Sequence, residues 1–232
     1  MVPENYNRVR IVNSFDELIA TPFSGEVNAL CWPRTLRGDF HELAHALPRG
    51  EDVEPIDENL LESLTLSPAG KIAVMEIQND LQLLQEQGRD PILNRIEAYP
   101  RDETPGAVAT DVMSFHADSA PIEADTWLCT YHGACSEGLR NDQATRYIEV
   151  PETCAALLRE FGGEDDASFL DFLADHCYDL HYAPLPGAQP FSFGLGALWR
   201  IAIEHPTSLV PPCIHRAPDT RPGDPPRLLL IC

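Results

Sequence analysis

The sequence predicts a mixed fold that is mainly β. A helix-rich part, residues 1–90, packs on a jelly-roll-like barrel, residues 91–232, which carries a helical insertion at about 151–178. Three observations predict it. Apolar residues recur at helical spacing up to Gly88, whereas from Ile92 onward short apolar runs alternate with turn residues, the pattern of antiparallel strands. With 232 residues, no internal repeat and no low-complexity tract, the chain suits one well-buried domain. Helices first and many short strands afterwards favour a barrel with helices on one side.

Ser14-Phe15-Asp16-Glu17 reads as a capping box opening a short helix to about Ala20. Val27 to Trp32 reads as a buried strand, stopped at Pro33 because proline donates no ladder hydrogen bond. Asp39 to Leu47 places Phe40, Leu43, Ala44 and Leu47 on one helical face. Pro48 to Glu58, acidic and proline-containing, reads as a loop. The longest helix opens at Ser67-Pro68 and ends before Gly88, with Ile72, Met75, Ile77, Leu81 and Leu84 apolar and Gln78, Asn79, Asp80, Gln82 and Gln85 on the wet side.

Strands are expected at Ile92 to Tyr99, Ala107 to Phe115, Ala124 to Tyr131 and Tyr147 to Val150. Pro151 to Phe161 and Ser168 to Cys177 read as helical insertions, and Pro184 to Pro190 as a loop. Phe191 to Ile203 is extended, with Gly194 and Gly196 allowing close approach to the backbone. Cys213 to Ala217 and Pro226 to Cys232 supply the last strands.

Lys and Arg number 16 against 37 Asp and Glu, a formal charge of -21 that repels nucleic acid. No basic segment leads into an apolar one at the start, and no run approaches the roughly 20 apolar residues of a membrane span. A soluble, cytoplasmic protein is expected. The seven cysteines are scattered without a Cys-x-x-Cys pair, against a disulfide framework or zinc ribbon, and read mostly as small buried residues.

The chemistry centres on Ser114-Phe115-His116-Ala117-Asp118. Two residues apart on a strand, His116 and Asp118 project from the same side toward one point. His215, in Cys213-Ile214-His215-Arg216, is the candidate third ligand, and two imidazoles with one carboxylate leave open positions that suit a non-heme Fe(II) oxygenase. Arg227 follows in the terminal strand, its forked guanidinium suited to the far carboxylate of a 2-oxo-diacid. Arg216 and Arg221 are the other candidates for that anchor.

The set His116-x-Asp118, His215 and Arg227 resembles the Fe(II)/2-oxoglutarate-dependent oxygenases, whose fold is a cupin-like double-stranded β-helix. Cys31-Trp32-Pro33-Arg34, Phe115-His116-Ala117-Asp118, Leu128-Cys129-Thr130-Tyr131-His132-Gly133 and His215-Arg216-Ala217-Pro218 together resemble a bacterial family known only as a domain of unknown function. The resemblance implies that His116, Asp118 and His215 hold Fe(II), that Arg227 pairs with 2-oxoglutarate, and that O2 takes the last position. Thr130 and Tyr131 become cofactor contacts, Trp127 and Arg216 substrate contacts. The implied reaction oxidises a C-H bond of a small, amino-acid-like metabolite, by hydroxylation, desaturation or ring closure such as cyclopropane formation in natural-product biosynthesis.

The rival reading is a cupin-type protein holding a divalent metal for storage, sensing or isomerisation, and a third is a scaffold without chemistry. Other constellations are weaker. His41 and His45 stand four apart on one helical face, but no further ligand accompanies them in the sequence. His176 and His181 flank Cys177 and read as surface residues, while Cys135 and Cys154 have His132 nearby but no base placed by spacing.

Overall fold

The computed structural model describes residues 2–50, 52–101, 106–221 and 223–232. Its strands are β1 (Val9–Ile11), β2 (Ala29–Trp32), β3 (Val53–Ile56), β4 (Ile92–Ile96), β5 (Asp125–His132), β6 (Glu137–Leu139), β7 (Ala144–Arg146), β8 (Tyr182–Pro184), β9 (Phe191–Ser192), β10 (Leu198–Ala202), β11 (Ile214–Arg216) and β12 (Arg227–Ile231). Its α-helices are α1 (Phe15–Ala20), α2 (Phe40–Ala46), α3 (Glu58–Ser63), α4 (Pro68–Glu86), α5 (Pro151–Phe161) and α6 (Ala167–Asp175).

Seven strands form one large sheet in the order β1-β2-β10-β5-β12-β4-β3, antiparallel throughout except for the β1–β2 pair. A smaller sheet has the order β11-β6-β9, and β7 pairs with β8. His116 links these two pieces, bridging to His215 in β11 and to His181 just before β8.

Alternation along the central strands decides what each face carries. Trp127, Cys129 and Tyr131 of β5, Leu228 and Leu230 of β12 and Leu93 of β4 join Leu43, Ala73, Ile77, Leu81 and Leu84 in one core under α2 and α4. Each Leu or Ile among them, once buried, contributes about 1.5–3 kcal/mol. Leu128, Ile96 and Leu229 belong instead to a second core, with Phe191, Phe193 and Cys213 from the smaller sheet and its approaches. The space between the two sheets is therefore lined by the other half of each strand.

Local signals fix the helix starts. Ser14 accepts from the Glu17 amide, Asp39 from that of Glu42 and Ser67 from that of Gly70. Glu17 reaches back to the amide of Asn13 rather than to Ser14, so the box closes one residue early. α5 ends at Gly162, whose left-handed backbone suits glycine.

Several expected elements differ. The supposed loop of residues 48–58 holds β3, and Pro55 is tolerated because β3 is the sheet's edge. With β1 and β2 it gives the first 90 residues three strands of the large sheet, so this part is not a helical layer alone. Residues 107–115 form no strand, and Tyr147–Glu149 is a 3-10 turn, the strand lying just before it as β7. On α4, Met75 and Ile72 face solvent while Asp80 is fully buried. The reason is an ion pair: Asp80 accepts from Arg34 Nη1 and Nη2 at 2.5 and 2.6 Å, and from the Tyr131 hydroxyl at 2.6 Å.

All seven cysteines are free; Cys31, Cys129 and Cys213 are buried, and Cys177 is exposed. Among the described residues no helix is long and apolar enough to cross a membrane.

Candidate metal centre

Although Ser114–Asp118 is not a regular strand, its backbone is held like one. His116 and His215 exchange reciprocal N–H···O bonds of 2.9 Å, the Ala117 amide donates to Leu180, and the Asp118 carbonyl accepts from Glu204. This pairing sets the His116 and His215 rings 4.6 Å apart between centroids. Asp118 joins them, with Oδ1 3.8 Å from His116 Nε2 and Oδ2 3.7 Å from His215 Nε2. The three ligand atoms lie within 4.8 Å of one another, so the group could hold a metal ion.

Both imidazoles are oriented by backbone carbonyls. His116 Nδ1 lies 2.8 Å from the Ser114 oxygen and His215 Nδ1 3.2 Å from that of Cys213. A carbonyl accepts only, so Nδ1 carries the proton and the Nε2 lone pair faces Asp118, the tautomer a metal needs. Burial, reinforced by His215, pulls the His116 imidazole down to about 4, which keeps it neutral near pH 7. Burial acts to raise the Asp118 carboxyl, but His215, the Thr126 hydroxyl and His116 outweigh it and hold it below its usual range. Thr126 Oγ1 donates to Asp118 Oδ2 at 2.6 Å.

The group opens into a cavity of about 250 Å³ between the sheets, which is also lined by Asn94, Tyr99, Thr126, Leu128, Ser136 and Arg227. Arg227 is 1 % exposed. Its Nη2 donates to Thr130 Oγ1 at 3.1 Å and Ser136 Oγ at 2.6 Å, and Nη1 donates to the Tyr99 hydroxyl. Among the described residues its Nε has no hydrogen-bond partner, and no carboxylate forms an ion pair with it. Burial lowers the guanidinium pKa, with Tyr99 opposing. A buried cation held only by neutral groups is costly without a counter-ion.

The other expected site residues divide by face. Thr130 shares the cavity side with Arg227 through its hydrogen bond. Tyr131, one residue on, points into the helix-covered core, where it stacks on Phe40 and binds Asp80, so it is not near the cavity. Trp127 lies on that same core face, its Nε1 donating to Asp125. Arg216 pairs with Glu137 and lies over Phe115, outside the cavity lining, and Arg221 is exposed. Thr126, Tyr99 and Ser136 were not expected. Thr126 was legible as the residue sharing a face with Leu128 and Thr130 by period 2; Ser136 lies outside any expected strand, and Tyr99, which period 2 would put on the face opposite to Asn94 and Ile96, reaches the cavity because β4 ends at Ile96.

Two histidine readings change. His181 is buried rather than a surface residue, its ring 5.7 Å from that of His116, while His176 is exposed. His41 and His45 gain His132, forming a second group able to hold a metal.

No protein-family model, no curated protein and no solved structure matches the chain.

Proposed function

We propose that the protein is an Fe(II)- and 2-oxoglutarate-dependent oxygenase of the double-stranded β-helix, cupin-like jelly-roll class, acting on a small, amino-acid-like metabolite. The observation that carries this reading is the buried Arg227 guanidinium, without a carboxylate partner among the described residues, in the same cavity as two imidazoles and one carboxylate. A cavity lined by both groups accepts a ligand with a metal-chelating end and a distal carboxylate. The small volume favours a compact metabolite over a polymer.

Iron, 2-oxoglutarate and O2 together would supply the oxidising power for a C-H bond. His116, Asp118 and His215 would hold the metal on one side and leave the cavity side open. The Ser114 and Cys213 carbonyls keep the two imidazole lone pairs aimed inward, and Thr126 holds Asp118 ionised and oriented. Arg227, steadied by Thr130, Ser136 and Tyr99, would pair with the distal carboxylate through the N–H groups that those three leave free. The apolar walls, Leu128 and Leu229 among them, limit water around the reacting carbon. Seven free thiols accord with a cytoplasmic setting.

The test is anaerobic. Fe(II) is added to the metal-free protein, then 2-oxoglutarate, and the visible metal-to-ligand charge-transfer band is recorded for wild type and His116→Ala. A band in wild type that the variant lacks supports the oxygenase. Metal binding without that band favours the divalent-metal cupin instead.

A further inference from the structure

The fold assembles a second histidine cluster on the side of the large sheet covered by α2. His41 and His45, four residues apart, share one face of that helix, the spacing by which helical histidine pairs bind zinc. The third member comes from far along the chain. His132 ends β5, and its Nε2 lies 3.4 Å from His41 Nδ1. The His41 ring is 4.1 Å from that of His45 and 5.4 Å from that of His132, and one ligand nitrogen from each of the three lies within 4.8 Å of the others.

We propose that His41, His45 and His132 form a surface zinc site separate from the half-buried group at His116. Three features carry it. First, orientation: His45 Nδ1 lies 2.8 Å from the His41 carbonyl and His132 Nδ1 lies 2.7 Å from that of Pro226, so both direct an Nε2 lone pair away from the backbone. Second, spacing: zinc–nitrogen bonds of about 2.0–2.1 Å at tetrahedral angles put two nitrogens about 3.3 Å apart, close to the 3.4 Å between His41 and His132. Third, access: His41 and His45 are exposed and His132 is partly so, and a dissolved ion therefore reaches the cluster without opening the fold.

The set contains imidazole alone. Neutral nitrogen ligands suit zinc, copper and nickel rather than magnesium or calcium, and three protein ligands leave a fourth position for water or an incoming donor. Metal at this point ties α2 to β5. Through His132 it also fixes the Pro226 carbonyl, the residue preceding Arg227, so occupancy reaches the floor of the cavity by a single hydrogen bond and one peptide unit.

The experiment counts zinc. Protein made without a polyhistidine tag is stripped with a chelator and titrated with Zn2+ against a chromophoric competitor, in wild type, His41→Ala, His45→Ala and His116→Ala/His215→Ala. The double variant is expected to keep one zinc equivalent that His41→Ala and His45→Ala each lose, with circular dichroism reporting that each chain is folded. Cobalt(II) added to the double variant gives the intense visible absorption of a tetrahedral site. Should the double variant be unfolded, the comparison of wild type with His41→Ala decides, since one equivalent must still disappear. Equal zinc stoichiometry and affinity in wild type, His41→Ala and His45→Ala overturns the proposal, whatever happens at His116.

Discussion

Thr126 Oγ1 lies 2.6 Å from Asp118 Oδ2, so a strand of the large sheet holds a carboxylate carried by the irregular segment that precedes it. The bond occupies the oxygen that also faces His215. Replacing Thr126 with Val keeps the shape and removes the donor. Metal affinity at this group is expected to fall about 10–100-fold, with Thr126→Ser restoring most of it. Competition titration with Fe(II) or Co(II) in metal-free protein checks this, and an unchanged affinity in Thr126→Val would show that Asp118 needs no such support.

Arg227→Met should leave metal binding in place and weaken 2-oxoglutarate by about 2–5 kcal/mol, the usual cost of truncating one partner of a buried charge pair. Arg227→Lys should fall between, because it keeps the charge while a single ammonium cannot serve Tyr99, Thr130, Ser136 and the carboxylate in the same geometry. The co-substrate titration is read from the charge-transfer band. Stability of the ligand-free protein should change little, since the lost hydrogen bonds are offset by removing an unpaired buried cation.

The metal-free protein should lose stability on acidification in a window set by His116. Its folded-state value, about 4, lies below the ordinary 6.5. The unfolded chain therefore takes up the proton first, and the contribution of neutral His116 is complete above pH 6.5 and lost progressively as the pH falls toward 4. Urea denaturation of wild type between pH 7.5 and about 4.5 measures the slope, which should be shallower in His116→Asn. A slope identical in the two proteins would remove His116 as its source.

Asp80 tests the scaffold separately from the site. Its carboxylate is fully buried with Arg34 on one side and the Tyr131 hydroxyl on the other. Asp80→Ala strands the guanidinium and should cost about 3–5 kcal/mol in urea unfolding, whereas the double change Arg34→Met/Asp80→Leu should recover much of it. Metal titration of whichever variant stays folded should match wild type.

Arg34 and Tyr131 also show where reading the sequence reached its limit. Both stand in segments that drew attention for chemistry, yet they meet at Asp80 under α4, because residues 127, 129 and 131 share the face opposite to 126, 128 and 130. Period 2 says that Thr130 and Tyr131 part company; it does not say which of them faces the cavity. His132 behaves similarly, being unremarkable until α2 is laid beside the end of β5.

What the sequence determined by itself is local: the caps at Ser14 and Ser67, the stop at Pro33, the helix closing at Gly162, and the two-residue spacing of His116 and Asp118. These follow from backbone sterics and from hydrogen bonds within a few residues. Tertiary structure alone decided the rest. The β1–β2 pairing, the edge strand β3, the bond from Thr126 to Asp118 and the hydroxyls around Arg227 each join residues from separate segments, and such contacts depend on sheet order and register. Register is set by the summed burial of whole strands, a quantity that no short stretch of sequence carries.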